Sequence, residues 1–402
     1  MAASPALVLL NLLLLCLSSP AAAVLAPTDY LALQSIRKSL FDLPGSSFFS
    51  AWDFTADPCS FHGVLCRGNR VVALALGDPR AGSPGLSGRL SSALGSLSAL
   101  AELSLVPGRV AGPIPSSLSL CPSLRFLALS GNLLSGPLPP SLSSLRHLRI
   151  LDLSSNLLSG EIPRSIPLLP SLSTLILSGN RLSGPIPSFS PKSPLVRLDL
   201  RRNFLSGILP DSLPPSLRYL SLSSNRLSGQ VDAVLQRLRR LTFLDLSSNS
   251  LSGPIPGAVF SFPISSLRLQ RNAFSGAVRP AGPVHIPYID LSYNRLSGLI
   301  PAALAGAEWL YLDYNRFTGD VPARFVERVE KGEMRVLYLQ HNFLSAAAIS
   351  PDARIPVATS VCLQYNCMVP PVQTACPARA GKQKTRPAEQ CPRWTKAAQG
   401  LS

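Results

Sequence analysis

The sequence lacks the residue clusters with which enzymes bind metals or activate nucleophiles. Its few histidines are scattered, and none stands in an evident constellation with cysteine or aspartate: His62, His147, His285 and His341. An HExxH motif, a P-loop and a paired CxxC motif are absent, as is a GxSxG motif flanked by a strand and a helix. We therefore predict that the chain is not an enzyme and that it uses no cofactor or metal ion.

Acidic residues are scarce, at 21 against 37 lysines and arginines, and the formal net charge is +16 at pH 7. Such a charge favours acidic partners through long-range attraction that salt weakens. Nucleic acid would be the first candidate, but the compartment indicated by the N-terminus argues against it. An acidic polysaccharide stays open as a partner.

Long apolar runs are missing as well. No stretch of 18 or more apolar residues occurs, so we expect no membrane span. Residues 1–26 carry no charge, residues 6–17 form a short apolar run, and Ala21 to Ala23 are small enough for cleavage. This pattern predicts a secretory signal peptide over residues 1–23. Because kinase and lipid-anchor patterns are also absent, we expect a secreted, extracellular protein.

Cysteine is sparse, and its distribution is typical of an oxidising compartment. Of the eight cysteines, Cys16 lies in the predicted signal peptide, and Cys121 stands alone, where we expect a buried, unreactive side chain. The other six are predicted to form disulfides in the caps: Cys59, Cys66, Cys362, Cys367, Cys376 and Cys391. The last four allow three pairings, and the sequence does not choose among them.

The most abundant feature of the sequence is a repeat of 21–27 residues. Residues 148–170 carry its pattern, L-x-x-L-x-L-x-x-N-x-L-x-G-x-I-P. Self-similarity with this leucine spacing predicts a leucine-rich repeat solenoid, with about twelve repeats over residues 71–345. The repeat asparagines are Asn132, Asn156, Asn180, Asn203, Asn225, Asn249, Asn272, Asn294, Asn315 and Asn342.

Each recurring residue has a physical role. The last two leucines of L-x-x-L-x-L share one face of a strand and point inward, while the residues between them point outward. A buried asparagine offers donors and an acceptor that can join adjacent repeats, and the glycine permits a tight bend. We interpret these residues as scaffold, and we interpret the aspartates of L-D-L in the same way: Asp152, Asp199, Asp245 and Asp290.

The L-S-G-x-I-P form of the repeat resembles the plant extracellular leucine-rich repeat family of receptor-like proteins, receptor-kinase ectodomains and polygalacturonase inhibitors. The resemblance implies an α/β repeat fold, a right-handed solenoid with a parallel β-sheet on its concave face and disulfide-bonded caps. Residues 24–70 are expected to form the N-terminal cap, since residues 58–66 resemble its motif, with Phe61 replacing the usual tryptophan. Residues 346–376 are expected to form the C-terminal cap, and residues 377–402 a basic, flexible tail.

Two helices are predicted within this frame. Thr28-Asp29 is typical of an N-cap, before a helix that ends at Pro44-Gly45. Phe325, Val326 and Val329 share one helical face, which predicts a helix within residues 323–333 on the convex side of one repeat.

The outward strand positions carry the candidate binding residues. Six of the eight tyrosines lie at such positions or at strand ends, and five of them fall between residues 288 and 338. Tyrosine, tryptophan and arginine dominate binding hot spots, and an exposed aromatic cluster normally has a partner. We predict that an extracellular protein or peptide binds Tyr219, Phe243, Arg268, Gln270, Arg271, Tyr288, Tyr293, Trp309, Tyr311, Tyr314, Tyr338 and His341.

Alternatives remain at this stage. Stacked aromatic residues can stabilise a sheet through cross-strand pairs, and a tyrosine before the repeat asparagine can cover a strand end. The resemblance implies a role in a receptor complex or as an inhibitor of a microbial wall-degrading enzyme. The rival function is a cell-wall structural or acidic-polysaccharide-binding protein held by its charge. A second, polar patch is formed by Arg197, Asp199, Arg201 and Arg202.

Overall fold

The computed structural model describes residues 24–77, 85–105, 107–374, 376–377, 380–381 and 383–391. The predicted signal peptide and the tail after residue 391 lie outside the described residues. The α-helices of the described part are Pro27–Ser39, Asp232–Leu235 and Ala323–Glu330. Of the helices described, none has the length and apolar character needed to cross a bilayer. Short 3₁₀-helices cover Phe48–Ala51, Pro58–Ser60, Ser92–Ser96, Ser116–Leu120, Pro140–Ser144, Ile166–Leu168, Gly257–Ser261, Ala302–Gly306 and Ala388–Gln390.

The L-x-L segments build one long sheet, which we call the concave sheet. It has 14 strands in the described residues, and its first strand, Val64–Arg67, runs antiparallel to the second. The parallel strands are Arg70–Leu76, Glu102–Leu105, Phe126–Ala128, Ile150–Asp152, Thr174–Ile176, Arg197–Asp199, Tyr219–Ser221, Phe243–Asp245, Ser266–Arg268, Tyr288–Asp290, Trp309–Tyr311, Val336–Tyr338 and Ser360–Cys362. Equivalent repeat positions lie opposite each other, so outward side chains form columns across the strands. The predicted solenoid with a parallel sheet is confirmed.

A second sheet, the flanking sheet, is built from the L-S-G segments, and the sequence analysis did not foresee it. Within the described residues its 13 strands are Leu40–Asp42, Leu86–Arg89, Arg109–Gly112, Leu133–Gly136, Leu157–Gly160, Arg181–Gly184, Phe204–Gly207, Arg226–Gln230, Ser250–Gly253, Ala273–Ala277, Arg295–Leu299, Arg316–Asp320 and Phe343–Ala346. The repeat glycine makes the predicted bend, and at Gly229 φ is +81°. A Cβ there would lie 2.7 Å from the Ile208 side chain, so glycine also permits close contact between repeats.

The repeat asparagines join neighbouring repeats, as their chemistry predicts. Asn156 Nδ2 donates hydrogen bonds to Leu129 O in the preceding repeat, at 2.9 Å, and to Leu153 O in its own, at 3.2 Å. Its Oδ1 accepts a hydrogen bond of 3.0 Å from the Leu134 N–H. The same pattern extends to Asn366, one repeat beyond the predicted end at residue 345. Asparagine thus supplies partners for main-chain groups that water does not reach.

The cap disulfides form as predicted, and one of the three possible pairings is selected at the C-terminal end. Cys59 is bonded to Cys66 in the N-terminal cap. Cys362 lies in the last strand of the concave sheet and is bonded to Cys376, while Cys367 is bonded to Cys391. The C-terminal cap is therefore linked covalently to the thirteenth repeat strand.

Part of the predicted flexible tail packs against the solenoid instead. The Arg386 N–H donates a 2.9 Å hydrogen bond to Asn366 O, and the Tyr365 N–H donates one of 2.8 Å to Lys384 O. The Arg386 Nε also donates to Asn342 O at 2.9 Å. The prediction of a flexible tail from residue 377 is therefore wrong for residues 383–391, which belong to the C-terminal cap.

Asp29 links the N-terminal cap to the first repeat and does not cap its helix. The helix begins with Pro27 after Ala26, which makes no side-chain capping bond, so the predicted Thr28-Asp29 cap is wrong. The fully buried Asp29 carboxylate lies 2.9 Å from Arg70 Nη2 and accepts a 2.8 Å hydrogen bond from the Val71 N–H.

Both predicted helices form, and Phe61 packs inside the N-terminal cap. Phe61 stacks on Trp52, with ring centroids 5.4 Å apart. The first helix ends at Ser39, before Pro44-Gly45, because Leu40–Asp42 pairs with Leu86–Arg89. The helix Ala323–Glu330 forms as predicted and buries Phe325, Val326 and Val329.

Candidate functional site

Four of the predicted aromatic residues lie in one outward column of the concave sheet, which we call the aromatic column: Tyr219, Phe243, Tyr288 and Trp309. Tyr219 and Phe243 occupy equivalent positions in neighbouring strands, and their rings stack 4.5 Å apart at an angle of 5°. Tyr288 lies opposite Trp309 further along the column. All four side chains are half-buried, so each presents part of its ring to solvent.

The adjacent outward column contains Arg268, Tyr311 and Tyr338. The ring of Tyr311 lies 5.3 Å from Tyr338 and 5.6 Å from Tyr288. The Arg268 guanidinium lies 5.0 Å from the Tyr288 ring and 5.9 Å from the Phe243 ring. These contacts are cation–π interactions, so the surface already accepts a guanidinium on its rings.

A second row of rings follows the edge of the sheet, at the residue before each repeat asparagine. Five neighbouring residues there share a left-handed backbone, with φ between 52° and 58°. We call them the rim ladder: Arg271, Tyr293, Tyr314, His341 and Tyr365. Since adjacent strands lie about 4.8 Å apart, identical backbones place these side chains at stacking distance.

The ring spacings of the rim ladder follow that geometry. Tyr293 and Tyr314 stack at 4.2 Å, and Tyr314 and His341 at 4.0 Å, both at 11°. His341 and Tyr365 lie 4.6 Å apart, and the Arg271 guanidinium covers Tyr293 at 4.5 Å. Cross-strand stacking of this kind both rigidifies the sheet edge and fixes the orientation of the exposed rings.

The surroundings of His341 favour its neutral form. Burial lowers the pKa of His341, the hydrogen bond to Ala380 O raises it, and the neighbouring Arg386 lowers it. The Nε2 of His341 lies 3.1 Å from Ala380 O and donates to it, so the ring carries its proton on that nitrogen. Arg386 also lies 4.6 Å from the Tyr365 ring, at the end of the rim ladder.

Between the strand columns and the rim ladder lies a cleft of about 290 Å³, which we call the tyrosine cleft. It is lined by Gln270, Arg271, Tyr288, Asp290, Ser292, Tyr293, Tyr311, Asp313, Tyr314 and Gln340. Its most buried lining residues are Gln340, Asp313, Ser292 and Asp290, which are 2%, 5%, 6% and 8% exposed. These polar side chains form the floor of the cleft, and tyrosines form its walls.

Burial dominates the electrostatics of the floor. The Ser292 N–H and Oγ donate hydrogen bonds of 3.0 and 2.6 Å to Asp290 Oδ1. Burial nevertheless raises the pKa of Asp290, against the opposing effects of Ser292, Arg268 and Arg271. Burial also raises the pKa of Tyr288, and the Asp290 carboxylate adds to that effect. The Gln340 Oε1 is buried and has no hydrogen-bond partner.

The polar patch predicted around Asp199 adjoins the aromatic column. Arg197 Nη2 lies 3.7 Å and Arg201 Nε 3.6 Å from the Asp199 carboxylate, which is almost fully buried. Burial raises the pKa of Asp199, and the two arginines oppose this. The Arg197 guanidinium also covers the Tyr219 ring at 3.8 Å, so the patch and the column form one continuous surface.

The structure groups eleven of the twelve predicted residues as two strand columns and a rim. The twelfth, Gln270, lines the tyrosine cleft together with five of the others. Sequence reasoning missed Tyr365, although Tyr365-Asn366 repeats the dipeptide of Tyr293-Asn294. It also missed Asp313 and left Gln340 outside the predicted site. Asp290 was interpreted as scaffold; its bonds to Ser292 fit that role, but it also lines the cleft. No group of histidine, cysteine and acidic side chains in the described ranges is placed to hold a metal ion.

Three family models match the chain. The leucine rich repeat N-terminal domain matches residues 26–67. One leucine rich repeat model matches residues 122–182 and 193–251, and another matches residues 285–307. The matched segments coincide with the N-terminal cap and with repeats that carry concave-sheet strands.

Curated plant relatives match about a quarter of the chain. Receptor-like protein 43 of Arabidopsis thaliana is 36% identical over 108 residues, which is 27% of this chain and 15% of that protein. The match thus spans a small fraction of the relative's length.

Solved structures match over a larger share of the chain. The structure of PEPR1–AtPEP1 has a TM-score of 0.68 and 28% identity, and covers 85% of this chain and 52% of that chain. The ectodomain of the membrane receptor kinase GASSHO1/SCHENGEN3 from Arabidopsis thaliana, in complex with Casparian strip integrity factor 2, has a TM-score of 0.56 and 27% identity. It covers 85% of this chain and 47% of that chain. With the two-sheet solenoid and its asparagine ladder, these matches show that the chain has a leucine-rich repeat fold and is similar to plant leucine-rich repeat ectodomains and receptor-like proteins.

Proposed function

We propose that the chain is an extracellular recognition protein that binds a protein or peptide partner across the C-terminal half of its concave sheet. One observation carries the proposal: the aromatic column and the rim ladder present half-buried or exposed rings on the same outward surface, on either side of a cleft. Tyrosine, tryptophan and arginine at such positions are the residue types that dominate binding energy in interfaces.

The stacking of these rings lowers the cost of binding. A side chain that is already fixed loses little rotamer entropy when a partner covers it, whereas each free side chain loses about 0.5–1.5 kcal/mol. Tyr293 and Tyr314 are held in this way by their 4.2 Å stack. Tyr219 and Phe243 are held by their 4.5 Å stack. The surface is therefore organised before a partner arrives.

The related ectodomain supports a recognition role. The GASSHO1/SCHENGEN3 ectodomain was solved in complex with Casparian strip integrity factor 2. By this likeness we favour a role beside a membrane receptor over inhibition of a wall-degrading enzyme. An inhibition assay with microbial polygalacturonase separates the two, since a receptor-complex component leaves hydrolysis unchanged.

The test is a matched pair of triple variants. Peptides are selected on the wild-type protein from a displayed library of random linear peptides, and their Kd values are measured by biolayer interferometry. Tyr288→Ala, Trp309→Ala and Tyr311→Ala together should weaken binding roughly 30-fold or more, because hot-spot residues contribute about 2 kcal/mol or more.

The control removes outward side chains from the same sheet in its N-terminal half: Phe126→Ala, Ile150→Ala and Thr174→Ala. This variant should bind within about threefold of wild type, as residues outside a hot spot do. Circular dichroism must show that both variants are folded. Equal binding by wild type and the aromatic variant would end the proposal.

A second candidate function, binding to acidic wall polysaccharide, is favoured by the distribution of arginine. The residue after the repeat asparagine, at the start of a flanking-sheet strand, is an exposed arginine in several repeats: Arg181, Arg226, Arg295 and Arg316. Together with the net charge of +16, this row offers a surface to polyanions. Co-sedimentation with pectin that falls steeply with salt, and that is lost on changing these four to glutamine, supports it. Absence of binding at low salt rejects it.

A further inference from the structure

Tyr293 and Tyr314 form the closest pair of phenol rings among the described residues. Their ring centroids lie 4.2 Å apart, and the angle between the ring planes is 11°. Both residues have the left-handed backbone of the rim ladder, with φ of 54° and 52°, at equivalent positions of neighbouring repeats. The Tyr293 N–H donates a 3.0 Å hydrogen bond to Asp313 O in the next repeat. The main chain therefore holds the two rings at stacking distance.

The two hydroxyl groups lie at the same end of the stack. Burial raises the pKa of Tyr314, and the charge of the Tyr293 phenol and a hydrogen bond with it raise that pKa further. Because these effects need hydroxyl groups that are close together, the two rings point in the same direction. The ring carbons beside the two hydroxyl groups therefore face each other across the stack.

The other tyrosine pairs on the concave sheet lack this arrangement. The Tyr288 and Tyr311 rings lie 5.6 Å apart at an angle of 45°. The Tyr311 and Tyr338 rings lie 5.3 Å apart at an angle of 90°. Among the described tyrosines, Tyr293 and Tyr314 are thus the one pair stacked in parallel on each other.

One ring of the pair is open to solvent. Tyr293 is 37% exposed, and Tyr314 is half-buried behind it. The two faces of the Tyr293 ring are covered, one by the Arg271 guanidinium at 4.5 Å and the other by Tyr314, so solvent reaches the ring at its edge. The three disulfides of the caps indicate an oxidising compartment, in which such a ring meets oxidants.

We propose that Tyr293 and Tyr314 are a modification site, at which a peroxidase and hydrogen peroxide join the two rings as dityrosine. The oxidised peroxidase removes one electron and one proton from each phenol, and hydrogen peroxide is reduced to two molecules of water. The two phenoxyl radicals form a carbon–carbon bond between the ring carbons beside their hydroxyl groups. Each of these carbons then loses its hydrogen as a proton, and each phenol oxygen regains one, so the product has two hydrogen atoms fewer.

The product is a covalent bond between two adjacent repeats, along one wall of the tyrosine cleft. Because such a bond restricts the unfolded chain, the modified protein should unfold at a higher urea concentration than the unmodified one. This inference does not rest on the proposed function. It adds a chemical change by which oxidation alters the C-terminal half of the concave surface.

The test treats the purified chain with a peroxidase and hydrogen peroxide and then digests it with trypsin. Cleavage after Arg295 separates the two tyrosines, so the cross-link appears as two joined peptides. Their mass is lower than the sum of the separate peptides by two hydrogen atoms. Tandem mass spectrometry distinguishes this bond from one between Tyr288 and Tyr311, which lie on the same two peptides.

The bond between Tyr293 and Tyr314 should be at least about tenfold more abundant than that between Tyr288 and Tyr311, because coupling depends steeply on distance and orientation. Its yield per molecule should stay the same when the protein is diluted about tenfold, since a reaction within one molecule does not depend on concentration.

Two conservative variants keep the rings and remove one hydroxyl group each: Tyr293→Phe and Tyr314→Phe. Either should abolish the cross-link, since phenylalanine has no hydroxyl group from which a phenoxyl radical can form. Tyr288→Phe is the matched control, because it removes a hydroxyl group from the same tryptic peptide and should leave the yield of the bond unchanged. Circular dichroism must show that all three variants are folded.

Two results would overturn the proposal. One is oxidation that joins only different molecules, or that joins Tyr288 to Tyr311 as readily as Tyr293 to Tyr314. The other is an unmodified Tyr293 in the folded protein under conditions that cross-link the same chain after unfolding in urea, because the stack would then protect the pair from coupling.

Discussion

Asn294→Ala should destabilise the solenoid by about 4 kcal/mol, and the hydrogen bonds of this side chain explain the magnitude. Its Oδ1 accepts from the Phe274 N–H at 3.1 Å, and its Nδ2 donates to Leu269 O and Leu291 O, both at 3.1 Å. The Phe274 N–H loses this acceptor in the variant, at a cost of about 1–3 kcal/mol for a buried donor.

The two leucine carbonyls lose less. Leu269 O keeps a 3.2 Å bond from Asn272, and Leu291 O keeps a 2.9 Å bond from Asn315. Each donated bond that disappears therefore contributes only the net value of about 0.5–1.5 kcal/mol. The sum lies near 4 kcal/mol, and about half of it comes from one orphaned N–H group.

Urea unfolding followed by circular dichroism measures the total, and hydrogen exchange locates it. Because each repeat contacts only its neighbours, faster exchange should be confined to segments around residues 266–299. Asn69→Ala is the control: this asparagine is exposed and outside the ladder, so its substitution should change stability by less than about 0.5 kcal/mol. An Asn294→Ala protein as stable as wild type, with unchanged exchange, would refute the account of the ladder.

Three further predictions concern protonation, reactivity and packing. Burial lowers the pKa of His341, so the folded chain favours the neutral ring, and stability should fall as pH drops below about 6.5. The loss between about pH 6.5 and 5, measured by urea midpoints, should be smaller in His341→Gln. The Cys121 thiol is fully buried and burial raises its pKa to about 11, so iodoacetamide at about pH 8 should alkylate it only after unfolding, as mass spectrometry would show. Gly306→Ala should lower stability by about 1–3 kcal/mol in urea titrations, because its Cβ would meet Val284 O, whereas Gly282→Ala has open space and should be neutral.

The repeat period was sufficient to predict the concave sheet, since leucine spacing alone determines which side chains face inward. It was not sufficient to predict the flanking sheet. The L-S-G segment ends in a glycine with positive φ, and such a residue reads as a turn in a single sequence. Only the stacking of equivalent segments supplies the neighbours that make a strand, for example Gly298 against Phe317.

The C-terminal boundary was misjudged for a similar reason. Residues 360–366 read SVCLQYN, in which Val361 and Leu363 take the two inward positions and Asn366 the ladder position. Because Cys362 lies between them, the segment was predicted to be a disulfide-bonded cap, although this cysteine occupies an outward strand position. Local composition therefore concealed a repeat whose spacing was intact.

The candidate site could be predicted as columns but not as a cleft. Alternation along a strand places Tyr288 and Tyr311 on the outward face, and the sheet brings them within 5.6 Å. Which side chains form the floor of the cleft depends on how deeply each one is buried, and the sequence alone does not show this. The sequence predicts a scaffold role for Asp290 because the same L-D-L pattern occurs at Asp152. Only the tyrosines around Asp290, which line the cleft with it, distinguish the two aspartates.

The left-handed residue before each repeat asparagine has a consequence for how such a protein changes over time. The same backbone position holds Ser155, Arg202, Tyr293 and His341, all with φ between 53° and 58°. The main-chain bonds around it do not depend on which side chain is present. Different side chains can therefore occupy this position without a change in the backbone. A new preference can arise by exchanging single side chains along the row, while the frame that displays them is left untouched.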